Sequence, residues 1–199
     1  DLMFLGGWGL ISPIFAIFVI ERIPGATVVT VGVAAAIYWL VKSLLQLPVA
    51  AYLDRIEGEK DDFYALIIGL ILAGFAAITF PLAGSVAALF LVVLIQAFAF
   101  GLYVPAWSAM FSRHLDKEHY AFDWSLDSTT MGLATGVSAL LSGVIVKFFG
   151  FTFVFILASV LAFAAAITLF TVPNLILPKT KPSSKEVFIK DHSPIVIDK

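Results

Sequence analysis

Lys42 is the side chain in this sequence that is hardest to explain as packing. Of the 199 residues, 61% are apolar and 13% are charged, and Lys42 lies in a long apolar run, about twelve residues before Asp54. At 1.5 Å per residue it lies about 18 Å into a bilayer, where a lysine costs about 3 kcal/mol. Gln46 follows one turn later on the same face. We predict that both contact a substrate in a water-filled cavity. Alternatively, the lysine stem extends to the membrane interface.

Two carboxylates and a second amide are further candidates. Asp123 and Asp127 are spaced i, i+4 at the start of a predicted helix. Neighbouring carboxylates resist being ionised together, so the pair suits a coupled proton or cation, although capping of the helix N-terminus is an alternative. Gln96 lies in the middle of another apolar run, where it contacts substrate or makes an interhelical hydrogen bond.

Aromatic side chains offer surface for an apolar part of a substrate. The candidates for the cavity wall are Trp8, Tyr38, Tyr103 and Trp107. Large aromatics in membrane helices also pack in the core or form interfacial belts, which is the alternative for each of them.

Several classes of chemistry are excluded by composition. The chain has no Cys, and its His residues at 114, 119 and 192 lack metal-ligand spacing. A serine with a nearby histidine base, a glycine-rich phosphate loop and a two-histidine zinc helix are all missing from the sequence. A net charge of -2 does not suit binding to a phosphate backbone. We therefore predict a protein that is not an enzyme, has no cofactor or metal, and does not bind nucleic acid.

Six apolar runs are each close to the roughly 20 residues that cross a bilayer as a helix. They are residues 2–20, 26–47, 63–82, 86–110, 129–146 and 151–172. Because a backbone in lipid must satisfy its own hydrogen bonds, we predict an all-α polytopic membrane protein. The bundle occupies residues 1–172, and a polar tail follows in residues 173–199. Since the chain begins with Asp1 and not Met, we expect a short N-terminal piece to be missing.

Charge in the short loops predicts the orientation. Arg22 and Lys147 stand on one side, and the opposite side carries the seven residues Arg55, Lys60, Arg113, Lys117, Lys179, Lys181 and Lys185, which lie after spans 2, 4 and 6. Positive loops face the cytoplasm, so we expect both termini to be cytoplasmic.

An internal repeat is indicated by two patterns with one offset. Gly9-Leu10-Ile11-Ser12-Pro13 returns as Gly101-Leu102-Tyr103-Val104-Pro105, and Arg55-Ile56-Glu57-Gly58 matches Lys147-Phe148-Phe149-Gly150, each pair 92 residues apart. We predict three-helix units of about residues 1–83 and 84–172, inverted relative to each other because three is odd. The two prolines are expected to bend their helices. Chance recurrence of Gly and Pro is the alternative.

The segment after span 2, Ala50-Ala51-Tyr52-Leu53-Asp54-Arg55-Ile56-Glu57-Gly58-Glu59-Lys60, resembles a signature of major facilitator superfamily transporters, Gly-x-Leu-Ala-Asp-Arg-x-Gly-Arg-Lys. Asp54, Arg55, Gly58 and Lys60 match it, with one inserted residue at Glu57. The resemblance covers about residues 2–172, and the sequence is similar to half-size, six-helix bacterial members of the superfamily. The resemblance implies a cell-membrane location and a latch in which Asp54 meets the start of span 5 in a second copy, while Arg55 reaches Asp123 or Asp127.

Superfamily members enclose their cavity between two six-helix halves, so the resemblance implies a second half. We predict a parallel homodimer with spans 1, 2, 4 and 5 at the shared cavity and spans 3 and 6 outside. Small residues in span 5, including Gly132, Gly136 and Gly143, suit a helix interface. The predicted function is secondary, ion-coupled transport of a small solute by alternating access, and two copies of Lys42 favour an anionic solute. The alternatives are a membrane interaction subunit that does not transport, or one half of a heteromeric or longer transporter.

Overall fold

The computed structural model describes residues 2–55, 58–115 and 119–171, and within these ranges the chain is helical with no β-strand. In chain order the helices are α1 (Leu2–Ile11), α2 (Phe15–Arg22), α3 (Val28–Leu53), α4 (Lys60–Thr79), α5 (Val86–Arg113) and α6 (Tyr120–Thr171), with a short 3-10 turn at Phe80–Leu82. The predicted all-α class is confirmed. The predicted tail, residues 173–199, lies outside the described residues.

Four of these helices, α3 to α6, are long and apolar enough to cross a membrane, and α1 with α2 is a fifth candidate, bent by 45°. α6 has 52 residues, which at 1.5 Å per residue is about 78 Å, more than twice the ~30 Å hydrocarbon core. Its path is interrupted at Gly150, where φ is 79° and ψ is 171°. The interruption separates residues 120–149 from residues 151–171. Six spans in a 3+3 repeat stay a prediction.

The break between α1 and α2 lies at Pro13, which has no N–H to continue the helical hydrogen bonds. The chain turns through residues 12–14. The Leu10 carbonyl at the end of α1 accepts a hydrogen bond from Ser142 Oγ at 2.6 Å in the protein interior. The bend predicted at Pro13 is therefore present, whereas α5 continues as one helix through Pro105.

α1 packs between the two parts of α6. A Cβ added to Gly9 would lie 3.0 Å from Thr135 Cα, and one added to Gly7 would lie 3.3 Å from Ala158 Cα. Glycines therefore let the α1 backbone approach both parts closely, as small residues do between helices in lipid. A similar contact joins α4 to α5, where a Cβ at Gly69 would lie 2.9 Å from the Ala99 carbonyl oxygen.

Burial is uneven along the bundle. α4 and residues 151–171 supply many core residues, among them Phe63, Leu66, Leu70, Ala73, Phe151, Val154, Phe155 and Ala158. By contrast, the buried residues of α3 are Thr30, Ala34 and Leu53, and residues 120–149 contribute Ser142 alone to the described core. α3 and residues 120–149 thus have much surface that the described part of the chain leaves uncovered.

Candidate functional site

Two adjacent cavities open between helices of the bundle. The first, which we term the aromatic cavity, has a volume of about 430 Å³. It is lined by Leu5, Trp8, Gly9, Ile11, Ser12, Phe15, Ala34, Ala35, Tyr38, Trp39, Val93, Gln96, Phe100 and Thr135. This wall carries aromatic and aliphatic groups with a few neutral polar ones, and it carries no charged side chain.

The second cavity, which we term the charged cavity, has a volume of about 480 Å³. It is lined by Leu5, Tyr38, Lys42, Phe100, Tyr103, Val104, Trp107, Trp124, Asp127, Ser128 and Met131. The two cavities share Leu5, Tyr38 and Phe100 in their walls, so they are neighbours separated by these three side chains. Both are partly open at the surface of the bundle.

The walls of both cavities come from the same four parts of the chain. These are the bent pair α1 and α2, then α3, α5 and residues 120–149. Among the described helices, α4 and residues 151–171 line neither cavity. The elements that line the cavities correspond to predicted spans 1, 2, 4 and 5.

Lys42 lies near the middle of α3 and is half-buried at the wall of the charged cavity. Its Nζ lies 4.6 Å from the ring centroid of Trp39 and 5.6 Å from that of Tyr38. These distances allow cation–π attraction, which supports a charge in apolar surroundings without neutralising it. The ammonium therefore remains able to bind an anionic group in the cavity.

Asp127 lines the same cavity as Lys42, from the start of α6. Both residues are described, and no ion pair within 4.0 Å joins them; the described ion pairs are instead those of Arg113. Asp123, one turn earlier on α6, lines neither cavity. Of the two carboxylates, Asp127 alone lines one of the two cavities, and a coupling role for either residue stays a prediction.

The remaining candidates divide between the cavities. Gln96 and Trp8 line the aromatic cavity, and Tyr103 and Trp107 line the charged one. Tyr103 is 4% exposed and packs in the core, with its ring centroid 4.5 Å from that of Phe4. Trp107 stacks on Phe111 at 5.6 Å between centroids.

Tyr38 lies at the junction of the two cavities, since it lines both. Gln46 lines neither cavity, although it is half-buried on α3. Helical spacing alone placed Gln46 beside Lys42 on α3. The wall of the charged cavity includes Lys42 but not Gln46.

The residues of the expected latch lie at the end of α3. Asp54 is exposed, and its backbone N–H donates to the Ala50 carbonyl at 2.9 Å. Arg55 is also exposed, and Gly58 has a φ of 118°, a left-handed conformation that favours glycine. Residues 56 and 57 lie outside the described part. A contact of Asp54 or Arg55 with a second copy stays a prediction.

An ionic cluster that the sequence reasoning missed ties α4 to α5. Arg113, in the last turn of α5, donates to Asp62 Oδ2 and lies 3.8 Å from Glu59 Oε1. The side chain of Asp62 is fully buried, and that of Glu59 is 5% exposed. The sequence did contain a signal for this cluster. Acidic residues at the start of one helix and a basic residue at the end of its antiparallel neighbour come together at one end of a bundle.

Comparison with known proteins adds one finding. The family described as the Major Facilitator Superfamily has a model that matches residues 2–197 of this chain. No curated protein matches the sequence significantly.

Proposed function

The chain belongs to the major facilitator superfamily and is therefore a multi-pass membrane transporter; from this premise we propose that it is a secondary transporter that works as a homodimer by alternating access. The observation that carries the proposal is the composition of the two cavities. Their walls come from α1 to α3, α5 and residues 120–149, and the charged cavity holds a cation on α3 and a carboxylate on α6. Charged groups inside a membrane bundle mark substrate and ion pathways.

The proposed fold is a six-span bundle built as a 3+3 inverted repeat. The bent pair α1 and α2 is taken as one span, and the interruption at Gly150 divides α6 into two. The breaks at Pro13 and Gly150 support this division, because each ends a helix where the apolar runs predicted a bend or a boundary. We place this bundle in a bacterial cell membrane with both ends of the chain in the cytoplasm, as the loop charges indicate.

A second copy is proposed because the cavity-lining helices leave a large apolar surface uncovered. On α3, Leu40, Leu44 and Leu47 are 64%, 74% and 78% exposed. On residues 120–149, a Cβ at Gly132 or Gly136 would meet no atom within 4 Å. A two-fold axis is the commonest way to cover such a self-complementary apolar surface.

The absence of Cys from the sequence makes the dimer directly testable. Single-cysteine variants at Leu44 and Leu140, both exposed on the uncovered helices, are mixed and treated with a short bismaleimide in native membranes. We expect a cross-linked dimer. The matched control is Ile78→Cys, which is exposed on α4 and is expected to stay monomeric. Equal cross-linking at Ile78 would overturn the proposed interface.

Alternating access is tested by a single cysteine in the cavity wall. Ser128→Cys in the charged cavity is expected to react with a membrane-impermeant maleimide in both right-side-out and inside-out vesicles. The control Ile78→Cys faces away from both cavities and is expected to react in neither. Reaction of Ser128→Cys from one side only would contradict alternating access.

Ion coupling is the remaining part of the proposal. Asp123 or Asp127 is proposed to take the coupling proton or cation, and Asp54 with Arg55 and Gly58 is proposed to steady one closed state against the partner copy. A pH or sodium gradient imposed across reconstituted vesicles is expected to drive solute uptake. Loss of that response in Asp123→Asn or Asp127→Asn, with uptake down the solute's own gradient retained, would assign coupling to that residue. A response that survives when both residues are replaced by Asn would remove them from the mechanism.

A further inference from the structure

We propose that the substrate is a zwitterion with an apolar side group, of the kind that a large apolar or aromatic α-amino acid presents; this rests on the proposed transport function. The carboxylate of the substrate is bound by Lys42, its ammonium by Asp127, and its apolar group extends past Tyr38 toward the aromatic cavity. Three observations carry the assignment: the charges in one cavity, the separation of those charges, and the neutral cavity next to it.

The first observation is that the charged cavity contains one charge of each sign. Lys42 on α3 and Asp127 on α6 line the same space of about 480 Å³. The prediction of an anionic solute from the sequence considered the charge of Lys42 alone. With Asp127 in the same wall, each copy of the chain adds no net charge to its cavity, and a purely anionic solute is repelled by Asp127 as it is attracted by Lys42.

The second observation is that these two charges do not satisfy each other. No ion pair within 4.0 Å joins them, although both are described. Ionised groups in a membrane interior are normally paired, so a ligand placed between them is favoured when it brings an anionic group to Lys42 and a cationic group to Asp127. A ligand with one charge satisfies one of the two residues and leaves the other.

The third observation is that the neighbouring cavity is uncharged. The aromatic cavity, of about 430 Å³, is lined by Trp8, Phe15, Val93 and other neutral residues. It meets the charged cavity at Leu5, Tyr38 and Phe100. A zwitterion that carries an apolar side group is therefore expected to bind more tightly than one without such a group. The apolar side group is removed from water when it enters this cavity. The assignment gives Asp127 to the substrate and leaves Asp123 as the carboxylate for a coupling ion.

Four probe molecules test separately whether binding needs the carboxylate, the ammonium and the apolar group. L-Phenylalanine has both charges and the ring, 2-phenylethylamine lacks the carboxylate, 3-phenylpropanoate lacks the ammonium, and glycine lacks the ring. Binding to the purified full chain in detergent is measured by calorimetry. We expect L-phenylalanine to bind about tenfold more tightly than each of the other three, because each leaves one part of the site unsatisfied. Equal binding of the four probes, or no binding of L-phenylalanine, would overturn the assignment.

Two variants then assign the contacts. Lys42→Met is expected to bind L-phenylalanine no better than 2-phenylethylamine, and Asp127→Asn is expected to bind it no better than 3-phenylpropanoate. The matched controls Lys147→Met and Glu21→Gln change the same charges at exposed positions outside both cavities and are expected to keep the order of the four probes. An unchanged order in a folded Lys42→Met or Asp127→Asn would remove that residue. If neither variant folds, the probe order of the unmodified protein decides.

Flux measurements keep this inference distinct from the transport proposal. Vesicles that contain the protein are loaded and tested for exchange of labelled L-phenylalanine. Binding with the expected probe order but without flux would retain the ligand class and overturn transport. Reaction of Ser128→Cys from both sides of the membrane, together with no preference among the probes, would retain alternating access and overturn the ligand class.

Discussion

Replacement of Arg113 by glutamine is expected to destabilise the bundle, because it removes the cation from a buried acidic pair. Arg113 contacts Asp62, which is fully buried, and lies 3.8 Å from Glu59. At an effective dielectric constant of about 20, two unit charges at 3.8 Å interact by about 4 kcal/mol. The net value is smaller, since the arginine side chain is 21% exposed and its burial costs solvation free energy.

The arginine side chain is partly exposed, so water screens part of the interaction that Arg113→Gln removes. We therefore expect a loss of about 2 kcal/mol in the free energy of unfolding, below the 3–5 kcal/mol typical when a buried pair loses one member. Asp62→Asn is expected to lower the free energy of unfolding by less than Arg113→Gln does, because Arg113 still has its ion pair with Glu59. The double variant is expected to be more stable than the sum of the single losses predicts, with a coupling of about 1 kcal/mol.

The assay is reversible unfolding in mixed detergent and SDS micelles, followed by the fluorescence of the four tryptophans. The matched control is Arg22→Gln, at the exposed end of α2, where we expect a change below about 0.5 kcal/mol. An Arg113→Gln protein as stable as Arg22→Gln would refute the reasoning that the cluster holds α4 to α5.

Two further predictions use matched pairs in the same unfolding assay. Ser142→Ala removes the hydrogen bond to the Leu10 carbonyl at the end of α1 and is expected to cost about 1 kcal/mol. Ser159→Ala is expected to be neutral, since the buried Ser159 Oγ has no hydrogen-bond partner among the residues that the structure describes, and a larger loss there than at Ser142 would contradict this account. Gly69→Val is expected to cost about 1–3 kcal/mol by overpacking, because its Cβ would lie 2.9 Å from the Ala99 carbonyl oxygen. Gly32→Val has open space, so equal losses at both glycines would refute the packing argument.

The all-α class and the membership of a membrane transporter family could be predicted from the amino-acid sequence alone. Apolar runs near the length of a bilayer crossing are a local property, and so are their interruptions at Pro13 and Gly150, which depend on the backbone of single residues. The signature around Asp54 then pointed to the family that the match over residues 2–197 shows. Lys42 could be singled out without any coordinates, because the cost of a charge in an apolar run does not depend on its neighbours in space.

Which side chains share a cavity depends on how the helices pack against one another. Helical spacing placed Gln46 with Lys42 and Asp123 with Asp127, whereas Lys42 and Asp127 line the charged cavity and Gln46 and Asp123 line neither of the two cavities described above. The ion pairs of Arg113 were likewise invisible to spacing, because their members lie on different helices about fifty residues apart. Periodicity along a chain fixes which residues lie on one face of a helix, whereas the rotation of each helix against its neighbours fixes what that face meets, and that rotation is set by close packing at residues such as Gly9 and Gly69.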